Sequence, residues 1–314
     1  MRLVVLVLIF FGVSCQTSQE VPQTVRNAEN TSPNKVEVSV EYQKLIKSLE
    51  PFFEPMQPPE ADEWLANFKE NGQTFEEYIN QNPTLPTAQR QTIYIQPIGN
   101  FNAKQSRVIE RTSEFLGLFY GLTVKKLPVK KFAKPLSMKH TRNNPFDRQE
   151  QVRTGYILDE LLIPNLPADA AALIAFTNED LYPDNTFNYV FGQANLEKRV
   201  GVWSLYRLQE AVNENVFLLR TLKISAHETG HIFSMHHCTK YECLMSGTNH
   251  LGETDSRPAD ACPECTAKIF WMTKQNPSER FKKIADFFKK NGLSALSENF
   301  SKKADAVVEI KNLN

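Results

Sequence analysis

Residues 227–238 of the chain read HETGHIFSMHHC, and both the fold and the chemistry follow from this stretch. His227 and His231 lie four positions apart within a helical pattern, so their imidazoles share one face of a helix and can bind one metal ion. Glu228 stands beside the first of them, where a carboxylate can take a proton from a metal-activated water and pass it to a leaving amine. In the alternative interpretation, both histidines are ordinary residues of a helix surface.

A third histidine at a suitable distance strengthens the metal-site interpretation. His237 follows His231 by six positions, which is the metzincin spacing. A straight helix would carry His237 away from the metal, so the chain must bend near Ser234, at a cost of about 1 kcal/mol for a left-handed serine. His236 fits the spacing less well and is interpreted as a neighbour. Three neutral imidazoles leave a fourth position for water, which is typical of a catalytic zinc site.

Four cysteines follow closely, as a C-x4-C pair and a CPEC pair: Cys238, Cys243, Cys262 and Cys265. Four thiolates in two close pairs predict a closed, tetrahedral structural zinc site, so that the chain would bind two zinc ions in all. Two disulfides are the competing interpretation, because an exported protein meets an oxidising environment, and a CxxC pair is also a redox motif. Met245, two positions after Cys243, can form an apolar floor beneath the three imidazoles.

The segment HETGHIFSMHHCTKYECLM, followed by CPEC, resembles the archaemetzincins, whose pattern is HExxHxxGxxHCx4CxM followed by CxxC. The resemblance extends over roughly residues 50–293 and includes the N-terminal extension of the longer, animal-type members. It implies a minimal metzincin fold, zinc metallopeptidase activity, Glu228 as general base and Met245 as the Met-turn. It also implies the ligands of both zinc ions: His227, His231 and His237 for the catalytic ion, and Cys238, Cys243, Cys262 and Cys265 for the structural ion. The chain departs from the family in having Ser234 in place of glycine, and in an N-terminus typical of exported proteins.

Around this segment, strand and helix patterns alternate, which predicts an α/β (α+β) protein. Strands are predicted at residues 92–98, 122–129, 171–177, 187–194 and 200–205, and helices at residues 103–120, 148–162, 213–235, 263–274 and 278–291. Together with the resemblance, this pattern implies a metzincin-like zincin fold: a twisted mixed sheet, an active-site helix and a small C-terminal subdomain stapled by zinc. The expected boundaries are a helical N-terminal extension at 39–90, the catalytic domain at 91–293 and a C-terminal tail at 294–314.

The N-terminus has the features of an export signal. Residues 3–13 form an apolar run that is shorter than the roughly 20 residues of a membrane span but suits a secretory signal. Ser14 and Cys15 resemble the lipobox of bacterial lipoproteins, in which the cysteine is lipidated, although Gly12 stands where that family usually has leucine. We therefore predict a signal peptide at 1–14, lipidation of Cys15, a flexible tether at 15–38 and an exported, membrane-anchored lipoprotein. An ordinary cleaved signal and a secreted protein are the alternative.

Composition and charge limit the partners. The 314 residues include 36 basic and 36 acidic side chains, so the net charge of zero provides no field that would attract nucleic acid. We expect hydrolysis of a peptide or protein substrate that pairs along the predicted edge strand from Phe187 to Ala194. Two alternatives stay open: a non-catalytic, membrane-tethered zinc protein that binds peptides or partner proteins, and a disulfide-bonded thiol oxidoreductase.

Overall fold

A five-stranded sheet organises the chain. The computed structural model describes residues 36–133, 135–209 and 213–307. Its strands are β1 Thr92–Ile98, β2 Thr123–Lys126, β3 Thr141–Asn143, β4 Glu150–Arg153, β5 Ala170–Thr177, β6 Asp180–Tyr182, β7 Gly192–Asn195 and β8 Val200–Ser204. Its α-helices are α1 Val40–Leu49, α2 Trp64–Asn67, α3 Phe75–Asn80, α4 Ala103–Tyr120, α5 Glu214–Ile232, α6 Leu251–Ser256, α7 Pro263–Thr273, α8 Pro277–Lys290 and α9 Ser294–Ala306. A π-helical turn covers Tyr156–Leu162, and short 3-10 helices cover Glu50–Phe52, Ile163–Asn165 and Arg207–Gln209.

The strand order of the main sheet is β2-β1-β5-β8-β7, and a smaller sheet has the order β3-β4-β6. In the main sheet, the first four strands run parallel, whereas β7 pairs antiparallel with β8. Every residue of β1, β5 and β8 is buried, as expected for parallel strands whose two faces are both covered. The predicted α/β class with a mixed sheet is confirmed.

Successive residues of β1 alternate between two apolar cores. Ile93 and Ile95 belong to the core that also contains Leu222 of α5, whereas Tyr94 and Ile98 belong to the core on the opposite face. This alternation follows from the two-residue period of a strand. Because α5 is packed into the first of these cores, the helix that carries the HETGH sequence lies against the sheet.

The prediction of a helix at residues 148–162 is wrong for the first half of that range. Strand β4 occupies part of that range and is followed by the π-helical turn. β4 pairs antiparallel with β3 and parallel with β6, and the amide of Gln151 donates to the carboxylate of Asp180 at 2.9 Å. Pairing with strands from elsewhere in the chain overrides the local helical pattern.

The strand predicted from Phe187 to Ala194 is shorter and lies further along the chain, because β7 begins only at Gly192. The guanidinium of Arg142 donates to the carbonyl oxygens of Phe187 and Asn188, at 2.5 and 3.0 Å. The backbone at the start of the predicted strand is therefore bound by a side chain instead of a neighbouring strand.

Most of the predicted C-terminal tail at 294–314 is helical, because it contains α9, which packs along α8. The ring of Phe300 is 1% exposed, and its centroid lies 6.0 Å from that of Phe281 and 5.3 Å from that of Phe288. An apolar face on α9 covers an apolar face on α8, and burial of these aromatic rings holds the two helices together.

The N-terminal extension shares an apolar core with α5. Tyr42 and Leu45 of α1 and Phe75 and Tyr78 of α3 belong to the same apolar core as α5. The hydroxyl of Tyr78 donates to the carbonyl of Phe233, directly after α5, at 2.9 Å. The predicted helical character of this segment is observed, and it packs as part of the same body.

The predicted signal peptide at 1–14, Cys15 and most of the predicted tether lie outside the described residues. Among the helices of the described ranges, none is both long enough and apolar enough to cross a membrane.

Candidate metal centre

Helix α5 and the bend that follows it position the three predicted histidine ligands. Asn213 caps the start of the helix, and its side-chain oxygen accepts from the amide of Val216 at 3.0 Å. At its other end the chain turns at Ser234, which has a φ of +62°, and the amide of Met235 donates to the carbonyl of Gly230 at 3.0 Å. The bend predicted at position 234 is therefore present, with serine in the left-handed region that glycine adopts more readily.

The structure brings together one ring nitrogen from each of His227, His231 and His237, all within 4.8 Å of one another. We call these three residues the histidine cluster. Their ring centroids lie 4.5 to 5.2 Å apart. His236 is outside the cluster and donates its backbone amide to the side chain of Gln73 at 3.1 Å.

Each imidazole of the histidine cluster has its Nδ1 hydrogen-bonded to an oxygen. The acceptors are the carbonyl of Leu244 for His227 at 2.9 Å, the carbonyl of Met235 for His231 at 2.6 Å, and the carboxylate of Glu70 for His237 at 2.8 Å. Because a carbonyl or carboxylate oxygen requires a proton on Nδ1, Nε2 is the nitrogen of each ring that remains to bind a metal ion.

The cluster fits a metal ion by its chemistry. The Nε2 atoms of His227 and His231 are 2.9 Å apart, and Nε2 of His237 is buried with no hydrogen-bond partner. Burial and the charge of His237 lower the pKa of His227 to about 3, and burial with the neighbouring imidazoles lowers that of His231. Neutral imidazoles with a converging, unprotonated nitrogen are the form in which histidine binds zinc.

Sequence reasoning missed Glu70, which lies in the N-terminal extension between α2 and α3. Burial raises the pKa of this carboxyl group, but the hydrogen bond and charge of His237 outweigh burial and hold it below its usual value. The ring of Trp64 lies edge-on to His237, with centroids 5.2 Å apart. No local motif marks Glu70, because its partner is 167 residues away in the chain.

Glu228 lies in a small pocket beside the histidine cluster. Its side chain is 2% exposed, and burial raises its pKa to about 8. The pocket has about 30 Å³ accessible to water, which is enough for a water molecule. Its walls are formed by Phe191, Lys223, Ile224, His227, Glu228, Leu244, Ser246, Thr248, Thr254 and Pro258.

Met245 packs against the helix backbone between the first two histidines. A Cβ atom added to Gly230 would lie 2.6 Å from the sulfur of Met245, so glycine is needed for this close approach. The carbonyl of Met245 also accepts from the amide of Cys238 at 2.8 Å, which joins the histidine cluster to the cysteines.

The sulfur atoms of Cys238, Cys243, Cys262 and Cys265 also lie within 4.8 Å of one another, and we call these residues the cysteine cluster. All four are buried, and none of them forms a disulfide. The amides of Cys262 and Met245 donate to the sulfur of Cys243 at 3.1 and 3.3 Å. Burial raises the pKa of Cys243 and Cys262, so four thiolates could be buried here only with a cation to balance them. The arrangement fits a closed, four-thiolate zinc site.

The chain is similar to known proteins. A family model described as Peptidase family M54 matches residues 102–270. The chain is 32% identical over 320 residues to Archaemetzincin-2 of Mus musculus, a match covering 83% of this chain and 86% of that protein. It is 32% identical over 185 residues to Archaemetzincin of Thermococcus kodakarensis, covering 56% of this chain and 94% of that protein. The crystal structure of archaemetzincin from Methanopyrus kandleri is 26% identical, with a TM-score of 0.49, and covers 60% of this chain and 99% of that chain.

Proposed function

The chain belongs to peptidase family M54, the archaemetzincins, and is a zinc metallopeptidase; we propose that the histidine cluster and Glu228 carry out its hydrolysis of peptide bonds. The observation that supports this assignment is the convergence of three imidazoles, each with its Nδ1 hydrogen-bonded to an oxygen, beside a buried carboxyl group. We further propose that the histidine cluster binds a catalytic zinc ion and that the cysteine cluster binds a second, structural one.

A zinc ion held by the histidine cluster would act as a Lewis acid that polarises the scissile carbonyl and makes water a better nucleophile. A protein side chain then transfers the proton. A bound zinc cation would offset the effect of burial and favour the ionised form of Glu228. In that form, Glu228 takes a proton from the attacking water as the new C–O bond forms, and it donates that proton to the amine nitrogen as the C–N bond breaks. Because Glu228 lines the same pocket as His227, the proton moves only over a short distance.

The substrate is proposed to bind as an extended strand along β7. This strand is the last one of the main sheet, and its partner within that sheet is β8. Phe191, directly before β7, lines the pocket that contains Glu228. A peptide that adds to this edge by backbone hydrogen bonds would pass beside the histidine cluster.

Export and membrane anchoring through a lipid on Cys15 remain a proposal that rests on the N-terminal sequence. The mass of the mature protein, isolated from membranes of a bacterial host, tests it. A diacylated cysteine as the first residue would support a lipoprotein, whereas an unmodified N-terminus in the soluble fraction would support a secreted protein.

The Glu228→Gln variant tests the catalytic assignment, because glutamine keeps the shape of the side chain but cannot accept the proton. We expect cleavage of a broad peptide library to fall by at least about 100-fold, with an unchanged zinc content. Glu214→Gln, at the partly exposed start of the same helix, is the matched control and should cleave like the parent protein. Undiminished cleavage by Glu228→Gln would refute the role of Glu228. No chelator-sensitive cleavage by the parent protein would favour the membrane-tethered binding protein.

A further inference from the structure

A buried lysine lines the pocket that contains Glu228. Lys223 lies one helical turn before His227 on α5, so both side chains point to the same side of the helix. Lys223 is 9% exposed, and it is the only lysine or arginine among the described residues that line this pocket. The proposed proton transfer does not use it.

The charge of Lys223 has no direct ion-pair partner in the described part of the chain, and the charge of Asp255 favours it only from a longer distance. Its Nζ donates to the carbonyls of Thr254 and Asp255, at 3.0 and 2.9 Å. The described residues place no carboxylate oxygen within 4.0 Å of this nitrogen. The carboxylate of Asp255 is bound instead by Arg220, at 2.6 Å.

The ammonium group of Lys223 retains one hydrogen-bond donor. An ammonium has three N–H groups, and the two carbonyls use two of them. Burial lowers the pKa of Lys223 to about 8, which leaves the group mostly protonated at neutral pH. A buried cation without a counter-ion is costly, so an anion entering the pocket would be stabilised.

The hydroxyl groups of the pocket donate to other parts of the protein. The hydroxyl of Ser246 donates to the carbonyl of Tyr241 at 3.3 Å, and that of Thr254 donates to the carbonyl of His250 at 3.2 Å. The hydroxyl of Thr248 lies 2.9 Å from that of Thr254 and must donate to it, since the proton of Thr254 is already used. Lys223 is therefore the pocket residue whose positive charge and spare donor remain for a ligand.

We propose that Lys223 determines the substrate specificity of this peptidase by binding a substrate carboxylate in the pocket beside Glu228. The carboxylate is either an acidic side chain next to the cleaved bond or the free C-terminus of the substrate. The inference rests on the proposed function, because it assumes a peptide as substrate. A charge-assisted hydrogen bond from Lys223 is stronger than a neutral one, and the pocket, with about 30 Å³ accessible to water, suits a short group.

Pairs of peptides that differ in one charge test the proposal with the zinc-loaded full chain. One set has an amidated C-terminus and carries Glu or Gln at each position flanking the cleaved bond. A second set has no acidic side chain and ends in a free carboxylate or an amide. We expect kcat/KM to be about 10- to 100-fold higher for the acidic member of one set, and the set that responds identifies the source of the carboxylate.

Three variants distinguish the effect of losing the Lys223 charge from an effect of misfolding. Lys223→Met removes the charge and all hydrogen bonds of the side chain. Lys223→Gln removes the charge but keeps donors for the two carbonyls, so it provides a test if Lys223→Met misfolds. In both variants, the ratio of kcat/KM for the acidic peptide to kcat/KM for its neutral partner should fall to about one. Lys302→Met, an exposed lysine on α9 that lies outside the pocket, is the control and should keep the preference. Equal kcat/KM for every charged and neutral pair in the parent protein would overturn the proposal while leaving the peptidase assignment intact.

A binding measurement decides the question even if the parent protein cleaves none of these peptides. Calorimetric titration of the zinc-loaded Glu228→Gln protein with the same pairs should give about 10-fold or tighter binding of the acidic member. The double variant with Lys223→Gln should lose this difference. Equal affinity for both members of every pair in Glu228→Gln would contradict the role of Lys223.

Discussion

The carboxylate of Glu70 lies 2.8 Å from Nδ1 of His237, which joins the N-terminal extension to the histidine cluster. Glu70 precedes the region that matches the family model, which begins at residue 102. A carboxylate on the outer nitrogen of a ligating histidine fixes its tautomer and orientation and increases its basicity. The extension is thus built into the candidate metal centre.

Replacing Glu70 with Gln should weaken zinc binding at the histidine cluster by about 10- to 100-fold, because the amide is a poorer acceptor for His237. Competition with a chromophoric chelator measures the affinity directly and does not depend on turnover. Glu60→Gln, an exposed acid of the same extension, serves as the control. If Glu70→Gln bound zinc as tightly as the parent protein, Glu70 would have no positioning role.

Ser234 combines a strained backbone with a side chain that accepts a hydrogen bond. Its hydroxyl oxygen accepts from the amide of Thr84 at 3.0 Å, while its φ of +62° costs about 1 kcal/mol. Ser234→Gly removes both the strain and the hydrogen bond, so the free energy of unfolding should change by less than about 1 kcal/mol. Ser234→Ala keeps the strain and loses the hydrogen bond, so it should lower the free energy of unfolding by about 1 kcal/mol. Urea denaturation of both variants checks the order, and an alanine variant as stable as the glycine variant would be inconsistent with this explanation.

Removal of metal should expose the cysteine cluster to thiol reagents. The four cysteines are buried and unpaired, so a chelator that extracts the proposed structural zinc should make four further thiols reactive. Titration with a chromogenic disulfide reagent before and after chelation, together with a metal assay, measures the thiols and the zinc released. We expect two zinc ions per chain, and no gain in thiols after chelation would indicate disulfides in the purified protein.

Packing of α9 against α8 should contribute strongly to stability. Phe300→Ala leaves a cavity between the two helices and should lower the free energy of unfolding by about 3–5 kcal/mol. Lys302→Ala removes an exposed ion pair with Glu298 and should cost less than about 1 kcal/mol. Thermal denaturation distinguishes the two variants, and similar midpoints would mean that α9 adds little to the fold.

The sequence allowed the histidine and cysteine clusters to be predicted because their spacing is local. His227 and His231 share a helix face, and a single bend returns His237 to that face, so a motif of eleven residues contains the whole geometric requirement. The helix over Ala103–Tyr120 and the buried strand Thr92–Ile98 were predicted for a similar reason, because their periodicities span the full element. The helix expected at 148–162 failed where pairing of β4 with distant strands overrode the local pattern.

The amino-acid sequence by itself determined which side chains could bind metal and that the fold is a mixed α/β one, since both depend on periodicity within short segments. Tertiary structure alone decided that Glu70 supports His237, that Lys223 lies beside Glu228 in a pocket closed by Thr254, and that Phe300 packs onto α8. These contacts join residues that are far apart in the chain or belong to different elements. No local spacing encodes them, because the free energy that selects them comes from burial and hydrogen bonding in the assembled fold.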